Sequence, residues 1–234
     1  LTTFDSTPAS NHRSHSRRLV IMISGRGSNM QALVGAIADR GLDAQVVAVV
    51  SDKPQAPGLL WAQSQGFETR VLESAGYVTR EAYDQALATL IESFDPDYVL
   101  LAGFMRILSD GFVQQFAGRL VNIHPSLLPA FPGLRTHEQA IACGVQWHGC
   151  TVHFVTPVLD GGPIIAQAVV PVLADDTPHS LAQRVLVAEH RLYADVLGWL
   201  TAGRVHLSPD GRVTVEADTL RAYVLPAGHA QSIQ

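Results

Sequence analysis

The stretch "LVIMISGRGSNMQALVGAIADRG" (residues 19–41) divides into three parts: five consecutive apolar residues, a polar loop with two glycines, and an apolar pattern of helical period that stops at a glycine. That order is strand, loop, helix. It recurs downstream, where "AQVVAVVSD" (44–52) reads as a strand, "GLLWAQSQG" (58–66) as a short helix and "ETRVL" (68–72) as a strand. "TREAYDQALATLIESF" (79–94) then reads as a helix and "DYVLLAG" (97–103) as another buried strand. Uninterrupted Val and Leu runs between helices predict an α/β chain whose central sheet is mostly parallel and covered by helices on both faces.

The rhythm changes at "HGCTVHFVTPVLDGGPIIAQAVVPV" (148–172), two extended segments joined through Asp160, Gly161 and Gly162. So short a connection suits antiparallel C-terminal strands. A long helix is expected over residues 181–200, and "RVHLSPDGRVTV" (204–215) should form a hairpin turning at Asp210 and Gly211.

The chain has 234 residues, 47% of them hydrophobic and 16% charged, enough for one large domain with a substantial interior. A formal net charge of -5 gives no reason to expect a nucleic-acid partner. No apolar run approaches the roughly 20 residues needed to cross a bilayer, so no membrane partner is expected either. Residues 1–18 are polar and lack an apolar signal core, and read as a disordered leader ahead of a domain at 19–215 and a tail at 216–234. Cys143 and Cys150 match neither a zinc pair nor a redox CxxC, which fits a reducing, cytoplasmic setting.

"SGRGSN" (24–29) falls where a helix N-terminus offers backbone donors and partial positive charge to a phosphate. Gly25 and Gly27 permit close approach, and Ser28 and Asn29 add side-chain donors. A dinucleotide site is the rival, since Asp52 ends the next strand as a ribose-binding carboxylate would. However, Met30 stands at the third glycine position and the lysine of a triphosphate loop is absent. Many such turns only connect strand to helix. The functional choice here is a terminal monophosphate.

"VNIHPSLLPAFPG" (121–133) ends an apolar run with Asn122 and His124 and follows it with Pro125, Pro129 and Pro132. Strand alternation puts Asn122 and His124 on one side, about 7 Å apart. An amide can donate to a developing oxyanion and an imidazole can donate a proton near neutral pH. Asp160 is a candidate third member, because a carboxylate nearby favours imidazolium. Spacing alone leaves this reading level with its bland alternative, a histidine satisfying a local hydrogen bond.

Four segments in order, "ISGRGSN" (23–29), "LAGFMRIL" (101–108), "HPSLLPAFPG" (124–133) and "HGCTVHFVTPVLDGGPI" (148–164), resemble the phosphoribosylglycinamide formyltransferases, folate-dependent enzymes of purine synthesis. The similarity runs over residues 19–204. It implies a Rossmann-like formyltransferase fold. It also implies transfer of a formyl group from 10-formyltetrahydrofolate, as co-substrate, to the amine of glycinamide ribonucleotide, without a metal or an acyl-enzyme.

By the resemblance, Asn122, His124 and Asp160 are catalytic. Gly27, Ser28, Asn29 and Glu189 hold the ribonucleotide and its phosphate. Arg80, Met105, Arg106, Ile107, Leu108, Asn122, Thr156, Pro157, Val158, Leu159 and Asp160 face the folate, the match of Arg80 extending to the phosphate side. A cis peptide is expected between Leu128 and Pro129. Outside the family context Met105, Ile107 and Leu108 read as core, and Arg80 and Glu189 as solvated helix residues.

The chain departs from the family pattern at Arg26, where a small polar residue is expected, and at Pro157 and Val158, where acidic residues are. The nearest rival, a 10-formyltetrahydrofolate hydrolase, ordinarily has a regulatory domain ahead of the core, which eighteen polar residues cannot build. Other readings are a silent phosphate-binding module and a zinc or cysteine site. The latter fails because His153 has an odd spacing from both Cys150 and His148, which places it on the opposite strand face from each. A monomer or a homodimer is expected.

Overall fold

All five residues of the "LVIMI" run are fully buried, and the two faces of that strand enter different cores. In the computed structural model, which describes residues 16–216 and 221–226, the strand is β1 (Arg17–Ile23). Leu19, Ile21 and Ile23 pack into one apolar cluster and Val20 and Met22 into another. A strand covered on both sides has no face to give to water, which is why its sequence does not alternate.

The chain continues as α1 (Ser28–Arg40), β2 (Ala44–Ser51), α2 (Pro57–Ser64), β3 (Thr69–Val71), α3 (Arg80–Glu92), β4 (Tyr98–Leu101) and α4 (Asp110–Gln115). It then forms β5 (Leu120–His124), α5 (Thr136–Ala142), β6 (Trp147–Phe154), β7 (Ile164–Pro171) and α6 (Pro178–Thr201). β8 (Val205–Leu207), β9 (Val213–Val215) and β10 (Ala222–Val224) follow. The main sheet has the order β10-β7-β6-β5-β4-β1-β2-β3, while β8 and β9 form a separate antiparallel pair. β1 to β5 pair in parallel, and β6 runs antiparallel to both β5 and β7. The expected mostly parallel sheet with antiparallel C-terminal strands is thus present.

Order within the sheet decides where a ligand can sit. From β1 the chain first builds outward through β2 and β3, then returns to place β4 on the other side of β1. The loops leaving β1 and β4 therefore diverge, and a crevice opens at their carboxyl ends. Helix α6, capped by Thr177 and Ser180 in a reciprocal pair, covers this region with a long apolar face.

Arg17 and Arg18, read from sequence as leader, already belong to β1. β10, in the segment read as tail, adds a parallel edge strand beside β7. Arg221 fixes that addition by donating to the carbonyls of Ile164 and Ile165. The rest of the expected leader, residues 1–15, lies outside the described residues.

Candidate functional site

At the crevice the two diverging loops are tied together by one serine. The Ser24 amide donates to the Gly103 carbonyl (3.0 Å), and its hydroxyl accepts from the Met105 amide (2.9 Å). Gly27 precedes α1 in a left-handed conformation (φ 74), and a Cβ there would lie 2.9 Å from the Gly58 backbone. Glycine is thus required for the loop to pass α2. No side chain caps α1, so its first amides face the crevice, and Arg26 lies exposed beside them.

The crevice has a volume of about 910 Å³. Its walls include Gly27, Ser28, Asn29 and Glu189 together with His179, Gln183 and His190 of α6.

Asn29 and Glu189 are both buried, and the Asn29 amide donates to the Glu189 carboxylate at 2.7 Å. Burial pushes the Glu189 carboxyl up to about 7 against the partial opposition of that hydrogen bond. Between its ordinary value of 4.5 and about 7 the acid is protonated in the folded protein and ionised in the unfolded chain. This contribution to stability is therefore full below pH 4.5 and is lost as pH rises through about 7. Glu189→Gln should abolish the loss, and the stability difference between the two proteins should change by on the order of 3 kcal/mol over that interval. Urea unfolding at a series of pH values measures it; parallel curves for the two proteins would contradict it.

The antiparallel register of β5 and β6 sets Asn122 opposite His153 and His124 opposite Thr151. Asp160 sits on the β6–β7 connection in a left-handed conformation (φ 51), one that aspartate tolerates. Its Oδ2 accepts from the Gly133 amide at 2.8 Å and lies 3.5 Å from His124 Nδ1. His124 Nε2 is 3.0 Å from the Phe131 carbonyl. Both ring nitrogens thus face oxygen acceptors.

The proline-bounded turn after β5 contains the cis Leu128–Pro129 peptide. It is pinned by Thr151, which accepts from the Leu128 amide, and by Gln167, which donates to the Leu128 carbonyl. Of the expected trio, His124 and Asp160 are brought together, while the Asn122 amide meets His153. Ile123 and Pro125, rather than the trio side chains, form the crevice wall at this point.

Met105 (73% exposed), Ile107 (61%) and Val158 (68%) are not core residues. With Leu159, also exposed, they give the loops at 105–107 and 158–159 apolar side chains open to solvent. Such groups suit a flat heterocycle. Leu108 does pack against the second core. Arg106 turns away from the crevice: its guanidinium lies 4.5 Å from the Tyr83 ring centre and donates to Ser74.

Thr156 donates to the Val158 carbonyl, and Pro157 is exposed. Arg80 is not brought to the crevice. It is exposed beside a separate, smaller cavity near Asp84 and Ser109 and pairs with Glu81.

His137 lines the crevice and meets the buried His148 at 3.2 Å. Burial lowers both residues, His148 to about 4. Sequence reading assigned no role to His137, nor to His179, Gln183 and His190. The last three were legible in principle, as polar residues whose spacings of four and seven put them on one face of α6.

Cys150 is fully buried in the first core. Among the described residues no cluster of His, Cys, Asp and Glu could hold a metal ion, and no helix is long and apolar enough to cross a membrane.

A model of the formyl transferase family matches residues 17–197. The phosphoribosylglycinamide formyltransferase of Escherichia coli (strain K12) is 49% identical over 189 residues, 81% of this chain and 89% of that protein. Glycinamide ribonucleotide transformylase 1 from Symbiobacterium toebii superposes with a TM-score of 0.83 at 40% identity, covering 90% of this chain and 99% of that one. A formyltetrahydrofolate deformylase from Pseudomonas syringae pv. tomato superposes at 0.79 with 27% identity, covering 86% of this chain and 66% of that one. A match across most of the domain, with a half-identical relative covered almost end to end, places the chain in the formyl transferase family, among the phosphoribosylglycinamide formyltransferases.

Proposed function

We propose that the chain transfers a formyl group from 10-formyltetrahydrofolate to the primary amine of glycinamide ribonucleotide, by direct attack without a metal. The observation that supports this reading is the pairing of Asp160 with His124, two residues along β5 from Asn122, beside a crevice whose lining also includes the uncapped N-terminus of α1. The ribonucleotide phosphate binds at Gly27, Ser28 and Asn29, where helix amides attract it. Glu189 meets the ribose or glycinamide portion. The pteridine takes the apolar loops, reading the backbone of residues 105–108 and of 156–160.

The amine nitrogen bonds to the formyl carbon, and the carbonyl electron pair moves onto oxygen. The Asn122 amide and the His124 imidazole stabilise that oxyanion. Collapse re-forms the carbonyl and breaks the bond to N10. N10 receives a proton from His124, and the attacking nitrogen loses one through water held by Asp160. For His124 to act, its Nε2 exchanges the Phe131 carbonyl for substrate.

Steady-state assay tests the function. Consumption of 10-formyltetrahydrofolate should require glycinamide ribonucleotide, with formylated ribonucleotide as product. Release of formate at the same rate without acceptor would establish a hydrolase instead.

A further inference from the structure

His153 stands directly across the β5–β6 ladder from Asn122 and is 2% exposed. Its Nδ1 lies 2.9 Å from the carbonyl of Phe154, and its Nε2 lies 3.3 Å from Asn122 Nδ2. A carbonyl oxygen can only accept, so Nδ1 carries the ring proton. Burial lowers the His153 pKa and outweighs the Phe154 carbonyl and Asp160, which act the other way, while His124 adds to the lowering. The ring is therefore neutral, and Nε2 presents a lone pair.

A lone pair accepts only an N–H. The Asn122 carboxamide must accordingly turn its nitrogen toward His153, with its second N–H left for another acceptor. The flipped amide would set its oxygen against that lone pair, or would require a proton on Nε2. The latter means either a buried imidazolium, which burial disfavours, or a lone pair facing the Phe154 carbonyl, which leaves that carbonyl without its donor. The pairing of β6 with β7 also slips by one residue between Val152 and His153, an irregularity of the kind that re-aims a side chain.

We infer that His153 is a positioning residue: the Phe154 carbonyl fixes its tautomer, the tautomer fixes the Asn122 amide, and the amide then offers N–H rather than oxygen to the charge that develops on the formyl group. This rests on the transfer reading given above. A flipped Asn122 repels that charge only as it forms, so the loss falls on kcat and not on substrate affinity.

The test is a double-mutant cycle with a spectroscopic arm. His153→Leu should lower kcat by about 10²-fold, the scale of a lost oxyanion donor, with both KM values within about threefold of wild type. His153→Gln, whose side-chain oxygen reaches the Nε2 position, should recover about tenfold of that loss. In an Asn122→Ala background His153→Leu should cost less than about twofold more, because the residue it positions is gone.

In the ligand-free wild-type protein, ¹⁵N correlation spectra should show the His153 proton on Nδ1. A proton on Nε2, or an equal kcat loss with and without Asn122, would overturn the inference. The spectrum needs no turnover and reads wild-type protein, so it decides the matter even if the leucine variant fails to fold. Failure of the transfer reading would appear separately, as wild-type turnover that ignores the ribonucleotide.

Discussion

His124→Ala should lower kcat by about 10²- to 10⁴-fold, the range for loss of a positioned acid. Ribonucleotide affinity should change little. The phosphate loop lies on β1 and α1, whereas His124 ends β5, so binding and chemistry are carried by different strands. The imidazole is buried between the Asp160 carboxylate and the Phe131 carbonyl, and alanine removes it from both, leaving Asp160 the Gly133 amide. Asp160→Asn keeps the shape and removes only the charge, so its effect should be smaller than that of the alanine variant. Burst and steady-state kinetics on both variants, beside calorimetry with the ribonucleotide, check this. An alanine variant that retains a tenth or more of wild-type kcat would remove His124 from the chemistry.

Gly162→Ala should damage stability and activity together. A Cβ at Gly162 would lie 1.8 Å from the Phe154 carbonyl oxygen and 3.2 Å from Thr156 Cγ2. The first contact is with backbone, so either the end of β6 or the connection carrying Asp160 must move. Overpacking of this kind costs about 1–3 kcal/mol or more, and a displacement near 1 Å at the reacting groups lowers kcat by about 10²-fold.

The neighbouring glycine is the control. A Cβ at Gly161 would meet Val158 Cγ1 at 2.6 Å and Val158 Cβ at 3.0 Å; the methyl can rotate away and the exposed residue need give only a few tenths of an ångström more. Gly161→Ala should therefore be much the milder change. Denaturant titration and kcat for the pair decide it, and equal behaviour of the two variants would contradict the geometry.

The parallel half of the sheet was legible because strands buried on both faces must be apolar throughout, and the run at 19–23 is. The trio was legible in part: strand period puts Asn122 and His124 on one side, and the short connection through Asp160 returns the chain beside them.

What could not be read was the pairing between strands. Nothing in "TVHF" says that His153 lies opposite Asn122, since register is set by the packing of two faces and not by either strand alone. β10 was missed for a similar reason. Three residues carry no period, and the strand is held there by the Arg221 guanidinium on carbonyls more than fifty residues away in sequence. Arg80 and Arg106 show the limit for long side chains: their α-carbons follow from the helix and loop, but the direction of the guanidinium depends on Tyr83, Ser74 and Glu81.

The central claim is that Asn122, His124 and Asp160 surround the carbon being transferred. A crystal structure with glycinamide ribonucleotide and an unreactive 10-formyl-folate analogue tests it most directly. The acceptor amine should lie about 3–3.5 Å from the carbonyl carbon of the analogue, with the carbonyl oxygen about 3 Å from Asn122 Nδ2 and the His124 ring released from Phe131. A carbonyl group bound on the far side of the crevice, with His124 still held on the Phe131 carbonyl, would contradict it.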